Sequence, residues 1–184
     1  LAAWLGGLGF QNNMQAVVYD RNGANYCGRL WWILKWLGHD AVAVLNGGLQ
    51  AWQAAGGAVE SGALTAKAKP TPSSQFELKP ALREWMSASQ LAPRVGHSDV
   101  TLIDARSAVR FRGEMEPIDP VAGHIPGALN RPFAENLDAN GFFKSADVLR
   151  AEFEKLLAGR KPESVVHYCG SGVSTLPNLL AMEL

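Results

Sequence analysis

An excess of charge of either sign is missing from this sequence: 17 lysines and arginines face 17 aspartates and glutamates, for a formal net charge of zero. Nucleic acids and anionic membranes recruit strongly basic surfaces, so neither is expected as a partner. Any anion site must be local, built from one or two arginines and backbone N–H groups. Cysteine is scarce as well. Cys27 and Cys169 are the only two, too few for a disulfide framework or a four-ligand zinc site, which points to a reducing, cytoplasmic setting. No apolar run approaches the roughly 20 residues that cross a bilayer. Residues 1–10 are apolar but carry neither a basic leader nor a cleavage site, so they do not read as a signal peptide. A phosphate-binding glycine loop with its lysine, a Ser/His/Asp arrangement and a cluster of metal ligands are all missing, so no metal and no cofactor is expected. An initiator methionine is absent too. The chain opens at Leu1 and stops at Leu184 within a helical pattern, which reads as a fragment.

What is present is a globular composition, 47% hydrophobic and 18% charged over 184 residues, enough for one large domain or two modest ones. A stretch from about 56 to 80, rich in Gly, Pro and Ser with alternating Ala and Lys, reads as extended and surface-exposed. It divides the chain into residues 1–60, a linker over 61–80 and residues 81–184. In the first part, 16–19 (AVVY) suits a buried strand, 20–25 is turn chemistry, and 26–37 reads as a helix with Trp31 and Leu34 on its apolar face, joined by Leu30 and Leu37. A strand over 41–45 and a helix opened by Gly47 and Gly48 follow. In the last part, 100–103 is a strand, and 145–158 is a helix with Ser145 at its N-cap and Val148, Leu149, Phe153, Leu156 and Leu157 on its face. A strand over 164–168 leads through the loop CGSGVS to a helix over 175–184, with Pro177 in its first turn. Short strands alternating with helices predict an α/β fold of parallel sheets flanked by helices.

The two parts repeat each other weakly. Residues 16–20 (AVVYD) overlay 165–169 (VVHYC), so Asp20 stands where the second copy has Cys169. Cys169 ends a strand and opens a loop into a helix, which is where ligand sites of parallel sheets lie. Gly170 and Gly172 allow the backbone N–H groups of the loop to converge, and Ser171 and Ser174 add hydroxyls. Such a setting favours a thiolate and an anionic ligand; the competing reading is a small buried hydrophobe. Cys27 lies inside a helix with no glycine cradle and reads as structural. Arg110 and Arg112 are candidate anion binders, either for substrate or paired to the nearby Glu114, Glu116 and Asp119. His124 reads as a turn or core histidine. A cysteine phosphatase would need a longer loop ending in arginine, and here the loop runs into Ser174 and Thr175.

Together these motifs resemble the tandem-domain rhodanese family of thiosulfate and 3-mercaptopyruvate sulfurtransferases. The resemblance rests on Arg29-Leu30-Trp31-Trp32, Leu37-Gly38-His39 and Leu45-Asn46-Gly47-Gly48-Leu49 with Trp52 in the first part. In the second it rests on Asp104-Ala105-Arg106, Arg110-Phe111, Glu116-Pro117, the 123–128 run GHIPGA and the Cys169 loop. It implies two rhodanese-like domains, both incomplete here: 1–60 as the C-terminal part of an inactive one, with Asp20 replacing the cysteine, and 81–184 as the catalytic one. The family's first His-Ile-Pro-Gly motif and closing Gly-Ser-Trp strand then lie outside the chain. The resemblance also implies that Cys169 carries sulfur as a persulfide from an anionic donor to a thiophilic acceptor such as cyanide or a thiol. Arg110 and the loop residues Gly170, Ser171, Gly172, Val173 and Ser174 would hold the donor. The Cys-Gly-Ser-Gly-Val loop looks like the mercaptopyruvate branch, but Ile118 stands where that branch commonly has a second arginine, so the donor stays open. A non-catalytic binding module is the alternative, since Asp20 marks one copy without its cysteine.

Overall fold

The computed structural model describes residues 1–62 and 74–184. Residues 63–73, most of the expected linker, lie outside them. The first half runs α1 (Ala2–Gly7), β1 (Ala16–Val18), α2 (Cys27–Trp36), β2 (Val42–Val44) and α3 (Gly48–Ala54). The second runs α4 (Ala88–Leu91), β3 (Thr101–Asp104), α5 (Ala108–Phe111), β4 (Leu129–Asn130), α6 (Ala146–Leu157), β5 (Val165–Tyr168) and α7 (Leu176–Glu183). All strand pairs among the described residues are parallel: β1 with β2, and β4-β3-β5 in that order. The expected α/β class of parallel strands flanked by helices is what the chain adopts.

Two cores hold these layers. In the first half Leu5, Val18, Cys27, Trp31, Leu34, Leu37, Val42 and Phe76 are buried together. In the second, Ile103, Leu149, Phe153, Leu157 and Ala181 form the other cluster. Each fully buried large apolar side chain contributes about 1.5–3 kcal/mol, so these few positions supply most of the drive to fold. The helix α7 belongs to both: Leu179 and Leu180 pack on the first core while Ala181 sits in the second.

Several expected positions differ. Leu30 on α2 and Val148 on α6 are exposed, because one apolar stripe already fills each contact and the next residue round the helix turns to water. The strand β4 is only two residues long, too short to leave a pattern in the sequence. The helix α6 closes on Ala158, which takes the left-handed conformation (φ 49°) just ahead of Gly159. Past residue 73 the chain does not run free in solvent. Ser74 bonds to Gly6 and Phe10, Phe76 is buried against Phe10 and His39, and the Lys79 N–H donates to Leu37 O at 3.1 Å.

Candidate active site

Cys169 follows the last residue of β5, the strand that pairs with β3 along its whole length. Its side chain is half-buried. Gly172 turns the loop back with φ 74°, a backbone that favours glycine, and its N–H donates to Cys169 Sγ at 3.0 Å. Thr175 Oγ1 then closes the loop on Gly172 O at 3.0 Å, and the Leu176 N–H donates to Val173 O to start α7. Gly170 and Ser171 are exposed; Gly172, Val173 and Ser174 are partly buried. Of the loop N–H groups expected to converge on the sulfur, that of Gly172 is the one that reaches it among the described residues. Neither serine hydroxyl makes a hydrogen bond among the described residues.

The counterpart in the first half shows the fuller form of the same device. Asp20 follows β1, and its two carboxylate oxygens accept from four backbone N–H groups: Asn22 (2.8 Å), Ala24 (3.1 Å), Tyr26 (2.8 Å) and Cys27 (2.9 Å). Burial works against the charge, but the four N–H groups together outweigh it and hold the carboxyl below its ordinary range. Cys27 has the opposite fate. Burial, reinforced by the Asp20 carboxylate, pushes its thiol up to about 12, so it is an inert core residue as expected.

Beside the Cys169 loop lies an ionic cluster. Asp104, at the end of β3, is fully buried and grips Arg106 through its Nε and Nη2. Glu116 bridges Arg106 (3.2 Å) and Arg110 (3.1 and 2.6 Å), and Asp119 takes Arg110 Nη2 at 2.9 Å. The Arg110 guanidinium, with backbone N–H groups of Asp119 and Ile118, pulls the Glu116 carboxyl down to about 2. Arg110 thus sits on α5 in ion pairs of its own, with only Nη1 without a partner among the described residues. Gly170 meets this cluster: a Cβ there would be 3.4 Å from Asp119 Oδ2 and 4.0 Å from Arg110 Nη2. Arg112 points away and pairs with exposed Glu114. The structure therefore brings Arg110 to the loop and leaves Arg112 outside it.

Tyr168 ties the histidine turn to the strand, its hydroxyl accepting from the Ile125 N–H at 3.1 Å. His124 stacks on Phe111 with ring centroids 3.6 Å apart and bonds Phe111 O, a turn role as expected. Behind the site, buried Asn178 on α7 links Asn136 and Arg131 O, fixing the start of that helix. No sequence pattern singled out Asn136, Asn178 or Arg131, because isolated buried polar residues carry no periodicity. A cleft of about 760 Å³ on the first half is lined by Tyr19, Leu45, Leu49, Trp52 and Val59, and Cys169 does not line it. Among the described residues no group of metal-ligating side chains is present.

The parallel α/β scaffold carries a cysteine loop between strand and helix in its second half and an aspartate in the corresponding loop of its first. The chain belongs to the rhodanese-like domain family, which residues 2–55 and 87–183 match. It is 42% identical over 185 residues to a Pseudomonas aeruginosa protein named "Probable 3-mercaptopyruvate sulfurtransferase", covering 100% of this chain and 62% of that one. With the thiosulfate sulfurtransferase of Gallus gallus it shares 33% identity over 186 residues, again 100% of this chain and 62% of the relative. The solved structure of 3-mercaptopyruvate sulfurtransferase from Leishmania major superposes with a TM-score of 0.82 at 31% identity, over 98% of this chain and 49% of that one. The chain thus spans about three fifths of the length of these curated relatives.

Proposed function

We propose that the protein of which this chain is part is a sulfurtransferase, with Cys169 as the nucleophile. The observation that carries the reading is the Cys169 sulfur at the end of β5, bonded to Gly172 N–H at 3.0 Å in a loop whose counterpart in the first half holds a carboxylate on four N–H groups. A loop that accommodates fixed negative charge in one copy suits a thiolate or persulfide in the other. The Cys169 thiolate attacks the transferable sulfur of an anionic donor. A new S–S bond forms, and the bond to the donor breaks with its electron pair. Sulfite leaves if the donor is thiosulfate; pyruvate leaves as its enolate and takes up a proton if it is 3-mercaptopyruvate. An acceptor thiol or cyanide then removes the outer sulfur and regenerates the thiolate, so turnover is ping-pong. Arg110 and the Gly170–Ser174 backbone orient the donor.

The same reading takes 1–60 as the C-terminal part of an inactive unit, 61–80 as a linker and 81–184 as the catalytic unit. A cytoplasmic setting belongs with it. Both cysteines are free thiols, and no helix among the described residues is long and apolar enough to cross a membrane. The test is intact-mass spectrometry of the full-length protein before and after thiosulfate, and separately 3-mercaptopyruvate. The expected result is a gain of one sulfur that cyanide reverses and Cys169→Ser abolishes. No gain from either donor would leave the chain a non-catalytic binding module.

A further inference from the structure

On the Arg110 side of the Cys169 loop, Arg110 keeps only Nη1 to meet an anion. Two guanidiniums, Arg106 and Arg110, stand against three carboxylates, Asp104, Glu116 and Asp119, leaving one formal negative charge. Glu116 and Asp119 occupy much of the Arg110 fork. An anionic donor approaching from that side meets carboxylates as much as arginine.

At Gly172 of the loop the first half supplies a cation. A Cβ built on Gly172 would lie 3.9 Å from Arg29 Nη1. Arg29 sits in the first turn of α2, is exposed, and its side chain makes no ion pair or hydrogen bond among the described residues. By contrast the two arginines on the other flank of the loop, Arg106 and Arg110, are paired to carboxylates. Its guanidinium rests 5.8 Å over the Trp32 ring one turn on, which steadies it without neutralising it. Its distance from the loop is set by close packing. A Cβ on the neighbouring Gly28 would stand 3.0 Å from Leu176 Cβ, and Leu176 is the first residue of α7 beyond the loop. The helix α2 is therefore seated on the base of the cysteine loop, and Arg29 comes with it.

We infer that Arg29, from the half without the cysteine, binds the anionic head of the sulfur donor at the Cys169 loop, a sulfonate or carboxylate group. The inference rests on Cys169 as the sulfur carrier. It supplies a second cationic contact where Ile118, 74% exposed, offers none. A guanidinium suits both head groups, since its planar fork presents two parallel donors.

The experiment uses the full-length protein, the variants Arg29→Gln and Arg29→Lys, and two alkylating probes of similar size, anionic iodoacetate and neutral iodoacetamide. In both cases the Cys169 thiolate displaces iodide. The rate ratio of the two probes at Cys169, normalised to free cysteine, is expected to fall roughly three- to tenfold in Arg29→Gln, the range for one unit charge at a few ångströms near water. With both rates taken as their pH-independent limits, Arg29→Lys should retain most of the ratio, and the iodoacetamide rate should not change. The KM for thiosulfate should rise by a similar factor in Arg29→Gln. An unchanged ratio in Arg29→Gln overturns the inference, and so does an equal slowing of both probes, which would make Arg29 a loop-shaping residue. A parent protein that takes up no sulfur yet loses its anion preference in Arg29→Gln would sink the sulfurtransferase reading and leave the anion site standing.

Discussion

Cys27 and Cys169 differ in more than position. One thiol is pushed up to about 12 by burial and by Asp20; the other is half-buried at a loop that offers it a backbone N–H. A colorimetric thiol titration of the native protein is therefore expected to show one fast equivalent, lost in Cys169→Ser, and a second only on unfolding. Two fast equivalents would refute the structural role of Cys27. Asp20 can be tested in the same spirit. Asp20→Asn turns two amide hydrogens toward N–H groups that need acceptors, and should destabilise the chain by about 1–3 kcal/mol in urea unfolding. Asp20 and Cys169 were legible in the sequence because each ends a short apolar run and precedes turn residues. The pairing of Arg110 was not. Its spacing to Glu116 and Asp119 fits either a substrate arginine or an ion-paired one, and only the folded loop shows which carboxylates reach it. Arg29 was visible only as part of a family motif, since its relation to Gly172 spans the two halves.

Among the elements, α2 and α7 pack against each other across the two halves. Gly28→Ala would bring a methyl group to 3.0 Å of Leu176 Cβ, and overpacking of this kind typically costs about 1–3 kcal/mol. Gly7 in α1 has nothing within 4 Å of its Cβ position, so Gly7→Ala should be neutral or stabilising by up to about 1 kcal/mol. Thermal melts of the two variants should move in opposite directions or separate clearly; equal melting temperatures would show that the α2–α7 seat is loose. These helices were readable from their apolar spacing, and their order with the strands gave the parallel α/β class. The two-residue β4 was out of reach, as was the burial of Phe76 within the 61–80 stretch whose composition reads as exposed linker.

For the whole molecule, the acid side of the stability curve should have two stages. His167 on β5 packs against Met182, its Nδ1 buried without a partner among the described residues, and burial pushes its imidazole down to about 4 from an ordinary 6.5. The unfolded chain therefore binds the proton first, and stability should fall as pH drops from 6.5 to 4, by on the order of 3 kcal/mol. Glu116, held down to about 2 from 4.5 by Arg110, adds a further loss only below about 4.5. Denaturant unfolding across this range checks the order; His167→Leu should flatten the upper stage and leave the lower. The Asp20 cradle bears on the molecule in another way. It is a charge trap with a permanent occupant, whereas its counterpart at Cys169 has one that comes and goes. If trapped negative charge helps knit a strand to its helix, the first half is always in its tightened state, and the second tightens only while loaded. Amide exchange in residues 170–176 would then slow when sulfur is taken up and quicken when it is handed on, while residues 21–27 would exchange at one rate throughout. The duplicated half would act as a built-in reference for the cycle of the other.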